Sequence, residues 1–153
     1  MRPGILAAAL LLATSASAAV ADLVMPDPAL SPEVVIEIQL SALQANDIPK
    51  PDAGIMQTWA FAHPDNKRMT GPLPRFAQMI KGPLYQMLLN HRSHEIKEVS
   101  RSDYVAVFAV IVTSQTGEVV GYRWSVAKVA EGANAGAWMT TVVSPPVHAG
   151  EAI

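Results

Sequence analysis

The sequence predicts an α+β domain in which N-terminal helices pack on a curved, antiparallel four-stranded sheet. The first observation is the distribution of proline, which has nine copies between residues 26 and 83 and none between residues 84 and 144. The second is that 11 of the 16 valines lie between residues 99 and 143. Proline suits helix starts and loops, whereas β-branched residues suit pleated sheets. Helices therefore come first and a sheet follows.

The helical half contains several starts and stops. Ser31 is a good N-cap that is followed by proline, so a helix is predicted from there to residues 46–49. A second helix is predicted over residues 52–63, with Ile55, Trp59 and His63 on one face. Residues 63–66 are typical of a turn, and the Gly-Pro pairs at 71–72 and 82–83 each predict a further short helix.

The second half predicts an antiparallel meander. Its strands are expected at residues 94–99, 104–113, 119–129 and 137–143. Residues 104–113 form a nearly continuous apolar run, so this strand should be central and covered on both faces. The third strand alternates cleanly, and the residues that share its apolar face are Val120, Tyr122, Trp124 and Val126.

The N-terminus has the pattern of a secretory signal peptide. Arg2 precedes a nine-residue apolar run at 5–13, which is too short to span a bilayer, and small residues follow. Cleavage is expected after Ala18 or Ala21. The mature protein should then be periplasmic or secreted, without membrane association.

The rest of the chain predicts one domain. Residues 22–30 are interpreted as a linker, residues 31–147 as a single α+β domain and residues 148–153 as a flexible tail.

Composition excludes several chemistries. The chain has no cysteine, which removes disulfides, thiol catalysis and iron–sulfur clusters. Eleven Lys and Arg residues against 13 Asp and Glu residues leave a net charge of -2, so nucleic-acid binding is not expected. No glycine-rich phosphate loop is present, and no cofactor is predicted.

The histidines suggest weak alternatives. His91 and His94 have the spacing of two ligands on one helix, but the surrounding residues match no strong metal motif. No metal site is therefore predicted; His91 is expected to cap a helix C-terminus and His94 to be solvent-exposed. His63 with Asp65 forms a candidate acid–base dyad, for which the alternative is a histidine that closes a turn. No catalytic residue is assigned.

A ligand pocket is the other candidate site. Trp59, Tyr85 and Trp124 are large aromatics that either line a pocket or fill the core. Arg75 lies beside an apolar helix face, where it either holds an anionic group or is solvated. The candidate ligand-binding residues are Trp59, His63, Asp65, Arg75, Tyr85 and Trp124.

Three stretches carry a family resemblance: residues 42–66, 70–85 and 136–147. They resemble an uncharacterised bacterial family named as domain of unknown function 4864, and the resemblance extends over residues 31–147. The order of helices followed by a curled sheet is similar to the nuclear-transport-factor-2-like (NTF2-like, cystatin-like cone) fold. That similarity implies a cone-shaped pocket, although the wall aspartates of the isomerases with this fold have no counterpart on these strands.

Three functions remain open from the sequence. The first is a non-enzymatic exported module that binds a small apolar ligand or a protein partner through a cone pocket. The second is a small enzyme that uses a His63/Asp65 dyad. The third is a structural homodimer formed through the outer face of the sheet.

Overall fold

The computed structural model describes residues 22–148. The helices are α1 (Pro32–Gln44), α2 (Ala53–Ala60), α3 (Pro64–Thr70) and α4 (Leu73–Lys81), followed by a 3₁₀ turn at Gln86–Leu88. None of the helices within this range is both long enough and apolar enough to cross a membrane. The predicted signal peptide (residues 1–21) and residues 149–153 of the predicted tail lie outside the described residues.

One antiparallel sheet forms the second half. Its strands are β1 (Ser93–Arg101), β2 (Val105–Thr113), β3 (Val119–Lys128), β4 (Trp138–Val143) and β5 (Val147–His148). The order is β1-β2-β3-β4, and β5 pairs with β3 on the edge that β4 also uses. Pro145 and Pro146 separate β4 from β5 because proline has no N–H to donate to the ladder. The four predicted strands are all present, and β5 extends the sheet to His148.

The core lies between α1 and one face of the sheet. Alternate residues of β2 and β3 are buried there, in agreement with the face predicted for β3. Val35, Ile36, Leu40 and Leu43 of α1 are completely buried in the same cluster. The structure is therefore α+β, as the segregation of proline and valine predicts.

The outer face of β2 differs from its prediction. β2 lies between β1 and β3, but within residues 22–148 its second face has no cover. Val105 is 47% exposed and Ile111 is 40% exposed on that face. The expectation of burial on both faces is therefore wrong for this single chain, because all the described helices pack on one side.

The predicted second helix also differs. α2 ends at Ala60, because Phe61 and Ala62 leave the helix to bridge to Thr140 of β4. His63 consequently does not continue the face of Ile55 and Trp59. It is instead the N-cap of α3, so residues 63–66 start a helix rather than form a simple turn.

The other boundaries follow local chemistry. The hydroxyl of Ser31 accepts a hydrogen bond from the Val34 amide, and proline occupies the first turn of α1, as predicted. Gly71 ends α3 and α4 begins shortly afterwards. Gly82-Pro83 starts only a 3₁₀ turn where a helix was predicted.

We predict that Gly54→Ala destabilises the fold at the crossing of α1 and α2. A β-carbon at Gly54 would lie 2.2 Å from the carbonyl oxygen of Ala42, so the two helices would have to separate. The expected loss in the free energy of unfolding is about 1–3 kcal/mol, measured by urea denaturation. Gly82→Ala is the control, because its nearest contact would be 3.2 Å. Equal stability of the two variants would contradict this account of the crossing.

Candidate ligand-binding pocket

A cavity of about 430 Å³ opens between the helices and β4. Its walls are mostly apolar, and α1, α2, α3, α4, β3, β4 and the segment around the 3₁₀ turn all contribute to them. The apolar residues that line it are Leu43, Ala62, Met69, Phe76, Met79, Ile80, Tyr85, Leu88, Trp124, Val142 and Val143. Such a concave and apolar shape is typical of small-molecule sites.

A buried hydrogen-bond network forms part of the cavity wall. The indole Nε1 of Trp124 donates to Gln39 Oε1 (3.2 Å) and to Thr140 Oγ1 (3.1 Å), and the Thr140 hydroxyl donates to Gln39 Oε1 (2.6 Å). The Gln39 amide nitrogen donates to the carbonyl of Thr58 (3.1 Å). The network therefore ties α1 and α2 to β3 and β4, and it satisfies polar groups that burial would otherwise penalise.

Thr140 also attaches α3 to the sheet. Its carbonyl accepts hydrogen bonds from the His63 amide (2.8 Å) and from the Asn66 side-chain amide (3.1 Å). The Thr140 amide donates to the carbonyl of Phe61 (2.8 Å). These bonds fix the first turn of α3 beside the cavity, although none of the α3 residues is buried.

Two tyrosines connect the 3₁₀ segment to the sheet. The Tyr85 hydroxyl donates to the carbonyl of Val143 (2.8 Å), and the Tyr122 hydroxyl donates to the carbonyl of Leu84 (3.3 Å). Burial raises the pKa of Tyr85, while burial and the neighbouring Tyr85 raise the pKa of Tyr122 to about 12. Both phenols therefore stay protonated and act as hydrogen-bond donors.

The cavity has little charge. Among the described residues that line it, Asp65 is the only one with a charged side chain, and its carboxylate pairs with Arg68 on α3. The Asp65 side chain is 65% exposed, so it belongs to the rim. An ion pair this exposed contributes little to stability.

Three of the six predicted ligand-binding residues line the cavity, namely Asp65, Tyr85 and Trp124. Trp59 instead packs its ring against Phe76, with centroids 5.0 Å apart, and under the ammonium of Lys67 at 5.2 Å. Burial lowers the pKa of Lys67. Arg75 is exposed on α4 and is not among the lining residues.

His63 is not among the lining residues either, and its geometry fits a helix cap. Its Nδ1 accepts a hydrogen bond from the Asp65 amide (3.1 Å), whereas the Asp65 carboxylate lies 3.6 Å away. In a catalytic dyad the imidazole N–H would donate to the carboxylate. Because the Nδ1 lone pair is already used, the observed hydrogen bonds favour a capping role.

The sequence offered a signal for the residues that were missed. Gln39 lies three residues after Ile36 and four before Leu43, both of which are buried core positions. A single polar side chain on such a helix face requires a buried partner. Its partners Trp124 and Thr140 are 85 and 101 residues away, so they could not be identified from α1 alone.

A second polar cluster lies near the start of β1. His91 Nδ1 hydrogen-bonds to the carbonyl of Leu88 (2.7 Å), its Nε2 meets His94 Nδ1 (2.7 Å), and His94 Nε2 meets the Glu37 carboxylate (3.0 Å). Since a carbonyl and a carboxylate can only accept, His91 Nδ1 and His94 Nε2 are the donors of the two outer hydrogen bonds. His91 thus caps a turn as predicted, but the exposure predicted for His94 is wrong, because its side chain is only 10% exposed.

The electrostatics of this cluster favour an ionised Glu37. Burial raises the pKa of Glu37, but hydrogen bonds from Ser41 and His94 and the two nearby imidazoles outweigh it, so the pKa is lowered. Burial also lowers the pKa of His91. Among residues 22–148 no group of three His, Cys, Asp or Glu side chains is arranged to hold a metal ion.

We predict a graded loss of stability when the Gln39 network is cut. Gln39→Leu removes the acceptor of the buried Thr140 hydroxyl and one of the two donors to the Thr58 carbonyl, so we expect a loss of about 2 kcal/mol. Thr140→Val leaves Trp124 paired with Gln39 and should cost about 1 kcal/mol. Thr140→Ser keeps the hydroxyl and is the control. Urea denaturation measures the series, and the reverse order would contradict the network.

We predict that acid destabilises the protein through His91 and Glu37. Because both pKa values are lowered on folding, the unfolded chain takes up protons first, and stability falls as the pH drops below about 6.5. His91→Gln should therefore show a smaller decrease in thermal midpoint between pH 7 and pH 5 than the wild type, because glutamine has no group that takes up a proton in this range. Equal decreases in the two proteins would contradict this assignment.

The comparisons with known proteins identify the family and go no further. No curated protein and no solved structure matches the chain. The similarity to the NTF2-like fold therefore stays a prediction. A family model described as a domain of unknown function (DUF4864) matches residues 29–142, which include every wall of the cavity except Val143. The chain therefore belongs to the DUF4864 family.

Proposed function

We propose that this protein is a non-enzymatic module that binds a small, predominantly apolar molecule in the cavity beside β4. The observation that carries the proposal is a 430 Å³ space with mostly apolar walls. This volume lies at the lower end of the roughly 300–1,000 Å³ that is usual for ligand pockets. A space of this size accommodates one small organic molecule.

The polar groups at the cavity support shape-based recognition. Thr70 Oγ1 already donates within α3 to Asn66, and the Thr141 hydroxyl donates to the carbonyl of Ser125 (3.1 Å). The hydroxyls of Thr140 and Tyr85 are likewise engaged with protein groups. A ligand would thus gain most of its affinity from apolar burial, at about 25 cal/mol per Å² of apolar surface removed from water.

The wall chemistry favours binding over catalysis. Acid–base catalysis needs a group poised to exchange a proton with the substrate. Among the described lining residues, Asp65 is paired with Arg68 at the rim, and the pKa of the Tyr85 phenol is raised by burial. Neither group has the partner that a catalytic pair would require.

We also propose that the protein is exported and that its fold is a cone. The composition of residues 1–21 supports export, so the binding module would work in the periplasm or outside the cell. Helices laid against the inner face of a twisted sheet support a cone in which the cavity is the open end. A protein partner that inserts an apolar side chain is the alternative occupant of the same space.

The test is a fluorescence titration with N-phenyl-1-naphthylamine, a neutral apolar probe whose emission rises in apolar sites. We expect saturable binding to the wild-type protein. Met79→Trp places a large ring into the cavity from α4 and should weaken binding at least about tenfold. Gln78→Trp is the matched control, because residue 78 is exposed on the same helix and does not line the cavity.

Folding of both variants is checked by circular dichroism and by thermal midpoint. Binding that saturates in the wild type and in Gln78→Trp but is weakened in Met79→Trp supports the proposal. Equal affinity of all three proteins, or no saturable binding by the folded wild type, would overturn it.

A further inference from the structure

The outer face of the sheet is apolar and uncovered. Every second residue of β2 points away from the helices, and β3 and β4 add to the same face. Apolar residues of this outer face include Val105, Val107, Ala109, Ile111, Val119 and Ala127. Of these, Val105, Ile111 and Val119 are each at least 40% exposed. A contiguous surface of this kind marks an interaction site.

β2 has the composition of a strand that is covered on both faces. Residues 105–112 are apolar without interruption, whereas a strand with one solvated face normally alternates with polar residues. The helices cover only the inner face. β2 therefore has two apolar faces, of which residues 22–148 bury only the inner one.

Charges flank this apolar surface in a self-complementary pattern. The strand register aligns Glu95, Ile111 and Gly121 in one row across β1, β2 and β3. The adjacent row contains Lys97, Ala109 and Arg123. Within residues 22–148, neither Glu95 nor Lys97 takes part in a salt bridge or a side-chain hydrogen bond, so both charges are available to a partner.

We propose that two copies of this chain form a dimer through their outer sheet faces, about a two-fold axis that runs across the strands between these two rows. Such an axis places each strand over the same strand of the second copy, running in the opposite direction. Glu95 then faces Lys97 of the second copy, and symmetry repeats the pair. The same operation places Ile111 over Ala109 of the second copy, so that a large side chain meets a small one.

The alternative two-fold axis, parallel to the strands, is disfavoured by charge. It would set Lys97 opposite Arg123 of the second copy, and like charges across an interface are costly. In the favoured arrangement Arg123 faces Gly121, which offers no side chain, so its long side chain can extend to the rim. Sheets packed face to face also cross at about 30°. Because this rotation displaces the residues near the axis least, the two rows beside the axis keep their contacts with the second copy.

The available area suits a dimer. Strands of nine residues are about 30 Å long and four strands are about 19 Å wide, which gives a projected face of about 570 Å². Two such faces would bury about 1,140 Å² in total, which exceeds the ~1,000 Å² that a specific interface requires. The centre is apolar and the charges lie beside it, as in known interfaces.

The test measures the mass in solution by sedimentation equilibrium over a range of protein concentrations. We expect the wild type to have twice the chain mass at high concentration. Glu95→Lys and Lys97→Glu each turn two attractive pairs into two repulsive ones, so each should raise the dimer dissociation constant at least about tenfold. The combined variant E95K/K97E exchanges the two charges and should restore the dimer.

The controls make the same charge changes elsewhere. Glu131→Lys and Lys50→Glu lie in exposed loops away from the outer face and should leave the dimer unchanged. A wild type that stays monomeric at every concentration would overturn the proposal. So would single variants that dimerise like the wild type, or a combined variant no better than the singles.

Discussion

The structure depends on the period-two alternation of β2 and β3. Alternate side chains of these two strands are completely or almost completely buried against α1, and the residues between them face outward. Because side chains alternate strictly across a pleated sheet, a shift of one residue in either strand would expose the whole core. The alternation thus fixes which side the helices occupy. It also fixes the two surfaces that remain open, which are the cavity beside β4 on the inner side and the apolar outer face.

The two open surfaces are separated by the sheet and have different chemistry. The cavity is enclosed by side chains from both halves of the chain and is closed at one wall by the Gln39, Trp124 and Thr140 network. The outer face carries charges on the strands beside its apolar centre. A concave apolar space suits a small molecule, whereas an open sheet face with self-complementary charges suits a second protein surface. β3 contributes residues to both surfaces, because Trp124 lines the cavity and Val119 lies on the outer face.

The sequence was sufficient for the parts of the fold that local rules decide. The helix cap at Ser31, the buried face of β3 and the order of the elements all follow from capping, periodicity and proline placement. It was insufficient where tertiary contacts override local signals. α2 ends early because Phe61 and Ala62 bridge to Thr140, so His63 leaves the predicted helix face. Trp124 was predicted as a site residue, but its partner Gln39 was not, because that contact joins residues 85 positions apart.

The most direct test of the central claim is a crystal structure of the protein under xenon pressure, since xenon occupies apolar cavities that are accessible from solvent. The account predicts a xenon atom between α4 and β4, in contact with the side chains of Phe76 and Leu88 and close to the Trp124 indole. Xenon density confined to other parts of the molecule, with the side chains of α3 and α4 closed onto β4, would contradict the claim that this protein has a ligand-sized apolar pocket.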